Sequence, residues 1–241
     1  MLFLKSKVSA ARLFCDRKRL KTMVETTLTT KVIKREDYER VLEFLFKYYY
    51  PEEPLTIGTE PKEPDPNDIK FNMGNIKHGA CFMALANEGK KEEKVAGVVL
   101  AGPKGATEYE HLCEEAEKVE GTKWGTIIKF LAKIEYDANV FEKYDITEAY
   151  HAHVLAVEPT YRGKSHGSML LTKLRDHLSS LGCKLLTADC TSVYSARICE
   201  RLHMKCENIQ YYADYKDEKG EQIFKPPAPH DCVKTYSLFL E

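Results

Sequence analysis

The chain has 241 residues, 43% hydrophobic and 30% charged, with 36 basic and 37 acidic side chains and a formal net charge of −1. That length supports one sizeable core, and the near-neutral balance gives no global pull toward nucleic acid or anionic lipid. Eight cysteines without a C-x-x-C pair lack zinc-site and disulfide spacings, and no apolar run reaches the ~20 residues that span a bilayer, so the expectation is reduced thiols, no metal, no membrane partner and a cytoplasmic location.

Residues 1–28 form a basic extension in which Lys5, Lys7, Arg12, Arg17, Lys18, Arg19 and Lys21 stand among apolar Leu2, Phe3, Leu4, Val8, Leu13 and Phe14. It reads either as an import presequence, which would direct the protein to mitochondria, or as a disordered isoform-specific extension with a second start at Met23. The folded domain is expected over 29–241. There, residues 30–33 predict a strand, and 35–48 predict a helix with Tyr38, Val41, Leu42, Leu45 and Phe46 at helical spacing.

After Tyr48-Tyr49-Tyr50-Pro51, the Pro- and Glu-rich residues 52–68 read as an irregular loop, a kind of segment that often binds ligands. Residues 80–86 and 95–101, joined by Asn87-Glu88-Gly89-Lys90, predict a central antiparallel hairpin. Ile127, Phe130, Leu131, Ile134, Ala138 and Phe141 predict one helix over 127–141.

The stretch from His153 to Ser168, H-V-L-A-V-E-P-T-Y-R-G-K-S-H-G-S, carries most information. Val154 to Val157 form an apolar strand that Pro159 ends. The small residues Gly163, Ser165, Gly167 and Ser168 then let backbone N–H groups converge on an anion at a helix start, beside Arg162 and Lys164. A helix over 168–180 follows, with Leu170, Leu171, Leu174 and Leu178 inward. A strand over 184–188, a helix over 194–202 and strands near 207–215 and 232–240 complete an α/β order, which favours a mixed, twisted sheet flanked by helices.

The run from Ala149 to Leu178 resembles the acetyl-CoA motif of the GNAT superfamily of N-acyltransferases. C-T-S-V-Y-S-A-R-I-C-E-R-L at 190–202, A-D-Y-K at 213–216, F-K-P-P-A-P-H at 224–230 and E-E-P-L at 52–55 are together similar to the invertebrate arylalkylamine N-acetyltransferases. The resemblance implies a GNAT fold, acetyl-CoA as co-substrate and direct transfer to a small-molecule amine such as dopamine, serotonin, tyramine or octopamine, by a monomer. Leu155, Ala156 and Val157 would then meet the pantetheine arm through their backbones. Arg162, Gly163, Lys164, Ser165, His166, Gly167 and Ser168 would wrap the phosphates.

A substrate amine with a pKa near that of lysine (~10.4) is ammonium at neutral pH, and deprotonating it costs about 4–5 kcal/mol, so a base is required. The resemblance implies Glu53 for that role, with Glu52 as the alternative. By themselves the two residues read as a solvated acidic turn before Pro54. The departing CoA thiolate needs a donor, for which the resemblance implies the hydroxyl of Ser195 and, where the family has another serine, of Thr191. Either residue equally suits a helix N-cap.

Tyr194 is a second candidate near the thiolate and, with His230, a candidate for substrate binding; a buried structural tyrosine is its plainer reading. His151 and His153 suit a proton relay or a core, and Tyr48 to Tyr50 suit stacking on an aryl ring or packing. Two departures from the family pattern stand out: Ser165 where Gly is usual, and Leu202-His203-Met204 where L-G-F is usual, removing a helix C-cap glycine. Polyamine acetylation is the nearest rival and would show as acidic residues lining the pocket. A non-catalytic CoA-binding protein and a peptide acetyltransferase with an open groove are further alternatives.

Overall fold

The computed structural model describes residues 28–241. The basic extension therefore lies outside the described residues, except Leu28, which begins the first strand. The chain runs β1 (Leu28–Val32), α1 (Tyr38–Tyr48), α2 (Pro54–Ile57), α3 (Pro66–Gly74), β2 (Phe82–Ala86), β3 (Lys94–Gly105), α4 (Glu108–Lys118), α5 (Lys123–Ala138) and α6 (Val140–Tyr144). It continues through β4 (Glu148–Val157), α7 (His166–Ser180), β5 (Leu185–Cys190), α8 (Val193–Arg201), β6 (Lys205–Tyr211) and β7 (Cys232–Phe239). The strands form one seven-stranded sheet in the order β1-β2-β3-β4-β5-β7-β6, antiparallel throughout except for the β4–β5 pair.

Strand periodicity explains how the sheet is covered on both faces. Phe82, Ala84 and Ala86 of β2 and Val99 and Ala101 of β3 join the cluster built on Leu170, Leu171, Leu174 and Leu178 of α7. The alternate residues Met83, Leu85, Val98 and Leu100 join Val41, Phe44 and Leu45 of α1. All four α7 leucines are fully buried, as their spacing predicted. In α1 the expected inward stripe is corrected: Phe46 is 47% exposed and Phe44 takes the core position, because Phe44 continues the stripe through Val41 and Leu45.

Two further expectations are corrected in part. Residues 52–68 are irregular only in their middle, over 58–65: Glu53 caps α2 and Asp65-Pro66 opens α3, with the Asp65 carboxylate accepting the Asn67 N–H at 2.8 Å. Asp followed by Pro is a helix-start signature, legible in the sequence but masked by the surrounding prolines. The helix expected over 127–141 begins earlier, at Lys123, and is broken at Asn139, whose φ of 42° is left-handed. The acidic α4 was not anticipated, since it buries only Ala116 fully and its few apolar residues stand among many acidic ones.

The sheet opens in its middle. Strands β4 and β5 pair only at Tyr150–Leu186, His151–Thr187 and Ala152–Ala188, and the β3–β4 register shifts immediately after Ala152. Beyond that point β4 keeps β3 on one side, while β5 turns to β7 on the other. The edge of β4 from His153 to Val157 is left without a partner strand, as an extended ligand requires.

Candidate active site

Two cavities meet at this opening. The larger, about 860 Å³, runs along Leu155, Ala156 and Val157, past Arg162, Gly163 and Ser165 to Ser168, and across to α8. Ser165 caps α7 with φ 62° and Gly163 has φ 76°, so the turn keeps the left-handed residue that the sequence pattern asks for, despite serine. Gly167 packs closely on α8: a Cβ there would stand 2.7 Å from Cδ1 of Ile198, a side-chain end that would have to shift. The turn thus presents backbone N–H groups at the start of a fifteen-residue helix, beside an open strand edge.

Arg162 donates from Nε to the Val157 carbonyl at 2.8 Å and pairs with Glu52 at 2.7 Å. Lys164 is exposed at the same turn without lining the groove. Ser192, which sequence reasoning passed over, is the N-cap of α8 and accepts the Ser195 N–H at 3.1 Å. The expectation of a cap at Thr191 or Ser195 is corrected accordingly. Ser195 Oγ lies 2.9 Å from Ser192 Oγ and faces the groove.

The smaller cavity, about 90 Å³, is lined by Tyr49, Phe71, Trp124, Glu53, Asp68, Glu108, Glu135, Asp189, Lys104, His151 and His153. Glu53 and Thr191 line both cavities, so they stand where the two join. Glu53 is 7% exposed, and its Oε2 accepts the Thr56 N–H at 2.6 Å. Burial raises its pKa, while the N–H groups of Leu55 and Thr56 and the Thr191 hydroxyl stabilise the ionised form. Glu52 instead is exposed, paired with Arg162 and confined to the larger groove.

Asp68 is buried, accepts from Asn72 Nδ2 at 2.7 Å, and has its pKa raised to about 8 by burial and then by the charge of Glu53. Lys104 is locked in a buried ion pair with Glu135. The rings of the two histidines lie 4.7 Å apart, tilted at 54° to one another, and burial pushes both well below the ordinary imidazole pKa. His151 Nδ1 meets Thr187 Oγ1 at 2.8 Å and its Nε2 lies 3.6 Å from Asp189.

His230 and Tyr194 line the larger groove, not the smaller cavity. His230 Nδ1 accepts the Val193 N–H at 3.3 Å, and Tyr194 is 56% exposed, so the buried reading of Tyr194 does not hold. The segment 224–230 crosses the end of α2, where the Lys225 N–H donates to the Gly58 carbonyl at 2.6 Å. Motifs some 170 residues apart are thereby brought together over one groove.

The sequence model of the acetyltransferase (GNAT) family matches residues 39–204, well over half the chain. The chain belongs to the GNAT acetyltransferase family. Solved GNAT structures similar to it include an agmatine N-acetyltransferase, with 38% identity, a TM-score of 0.83, and 88% of this chain and 99% of that one covered. The polyamine N-acetyltransferase of Drosophila melanogaster, which forms N-acetylagmatine, is 38% identical over 89% of this chain and all of that one, with a TM-score of 0.82. Arylalkylamine N-acetyltransferase 2 of Aedes aegypti is 26% identical over 89% of this chain and all of that one, with a TM-score of 0.81.

The larger groove combines an unpaired strand edge, open to an extended arm, with a helix N-terminus suited to phosphates.

Proposed function

We propose that the protein transfers the acetyl group of acetyl-CoA to small amines that carry a second cationic group, of the agmatine and polyamine kind, directly in a ternary complex. The observation that carries this reading is charge: five carboxylates and one lysine line the smaller cavity, and that lysine is already paired with Glu135. A low-dielectric cavity with uncompensated acid favours a cation strongly. The 38% identity to acetyltransferases of agmatine and polyamines supports it, while a mosquito arylalkylamine N-acetyltransferase like 5b, also 38% identical, supports acetylation of arylalkylamines equally.

Glu53 takes the proton from the substrate ammonium, directly or through water. The freed nitrogen lone pair attacks the thioester carbonyl and a C–N bond forms; as the C–S bond breaks, the attacking nitrogen gives up its second proton, which passes to the departing thiolate and releases CoA as the free thiol. Thr191 stands with Glu53 at the junction of the two cavities, and its hydroxyl favours the ionised base. The Ser195 hydroxyl, on the groove side, donates to the Ser192 carbonyl at 3.0 Å and turns from it to serve the thiolate.

Arylalkylamine acetylation is the second reading, favoured by Tyr49, Phe71 and Trp124 on the cavity wall, with Phe71 and Trp124 rings 5.5 Å apart. Thiol release from acetyl-CoA, measured with agmatine, spermidine, tyramine and dopamine, decides between them. A kcat/KM for agmatine or spermidine at least about tenfold above the monocations is expected, and a preference for tyramine or dopamine would reverse the order.

A further inference from the structure

We propose that Lys123, at the start of α5, is a positioning residue for this reaction, clamping the segment that carries Glu53 and placing a positive charge against that segment. The inference rests on Glu53 being the proton acceptor. Lys123 Nζ donates to the carbonyls of Thr56 at 2.6 Å, Pro61, and Glu63 at 2.9 Å. Thr56 is also the residue whose N–H holds Glu53 Oε2. One residue therefore links the ammonium to the base.

Asp65 completes the clamp: its Oδ2 accepts the Trp124 N–H at 3.2 Å while its Oδ1 caps α3. The whole run from Glu53 to α3 is thus tied to the first turn of α5, and Trp124 and Asp68 reach the cavity from the two sides of that junction. An ammonium is a costly way to hold carbonyls when an amide would serve. Its charge has a use because it acts on Glu53 and Asp68.

The groups coupled to Glu53 are Tyr49 and Tyr50 at the end of α1, Asp68 of α3, Thr191 after β5, Tyr212 after β6, and Lys123. Burial opposes ionisation of Glu53, the Thr191 hydroxyl and the backbone donors of Leu55 and Thr56 assist it, and Lys123 is the cation of the group.

The test compares Lys123→Gln, which keeps donors for the carbonyls and removes the charge, with Lys123→Met and Lys123→Arg, using full-length protein and pH profiles of kcat/KM. The acid limb is expected to move up by about one unit in Lys123→Gln and to stay near the parent position in Lys123→Arg. Lys123→Met is expected to lose about tenfold more kcat than Lys123→Gln, through misplacement of the base. If it does not fold, the Gln and Arg pair decides alone. A parental acid limb in Lys123→Gln overturns the proposal. Glu53→Gln is run in parallel: if it keeps parental turnover, the reading of Glu53 fails, whereas its inactivity beside an unmoved Lys123→Gln limb refutes the role of Lys123 alone.

Discussion

The Glu53 carboxylate caps α2 by accepting the Thr56 N–H at 2.6 Å, so the proposed base is also a structural cap. The two duties separate by substitution. Glu53→Gln retains an acceptor for Thr56 and is expected to lower kcat by about 10²–10⁴ with little change in unfolding midpoint. Glu53→Ala is expected to show the same catalytic loss and to lose about 1 kcal/mol of stability with the cap. Urea unfolding alongside turnover distinguishes them.

Asp68 links substrate choice to pH. Its pKa, raised to about 8, lies above the unfolded value, so its contribution to stability is full below about pH 4 and is lost as pH rises through 8. Asp68→Asn should therefore flatten the decline in melting temperature over that range. An ammonium or guanidinium beside Asp68 favours its ionised form, so dication binding releases a proton and KM should fall as pH approaches 8. Asp68→Asn is expected to raise KM for agmatine by about tenfold or more and to leave tyramine less affected. Titration calorimetry in buffers of different ionisation enthalpy counts the proton.

Gly167 and Ile198 couple the phosphate turn to α8. With only 2.7 Å between a Cβ at 167 and Ile198 Cδ1, Gly167→Ala must displace the Ile198 side chain or α8 itself. A loss of about 1–3 kcal/mol and a higher KM for acetyl-CoA are expected. Adding Ile198→Val, which removes the clashing methyl, should recover part of both, and the double-mutant cycle measures the coupling.

The buried Lys104–Glu135 pair tests how the floor of the amine cavity is stabilised. Removing one partner, as in Lys104→Met, leaves Glu135 buried and unpaired and should cost about 3–5 kcal/mol. Lys104→Met combined with Glu135→Leu should be the milder change, measurable as a higher melting temperature than the single variant.

Much of the frame was legible because it depends on local rules. The continuous apolar runs of β2 and β3, the leucine spacing of α7 and the strand-turn-helix after His153 are each readable from residues adjacent in the chain. The same local chemistry made Ser165 and His203 conspicuous, and both adopt left-handed backbone, at φ 62° and 57°, where a glycine would be unstrained. The segment 52–68 misled because its prolines look like loop residues, although Asp65-Pro66 starts a helix and Glu53-Pro54 another.

By itself the sequence determined the strands, the main helices on either side of them and the small-residue turn after β4, which rest on periodicity or on residues adjacent in the chain, while the family resemblance singled out Glu53 as the base to examine. Only the tertiary structure decided what surrounds that base. Asp68, Glu108, Glu135 and Asp189 come from α3, α4, α5 and β5, and no spacing in the chain announces that they share one cavity. The physical reason is that a charge cluster is a property of distance, and distance between elements is set by how the sheet splits after Ala152 and how α5 is clamped to residues 56–65.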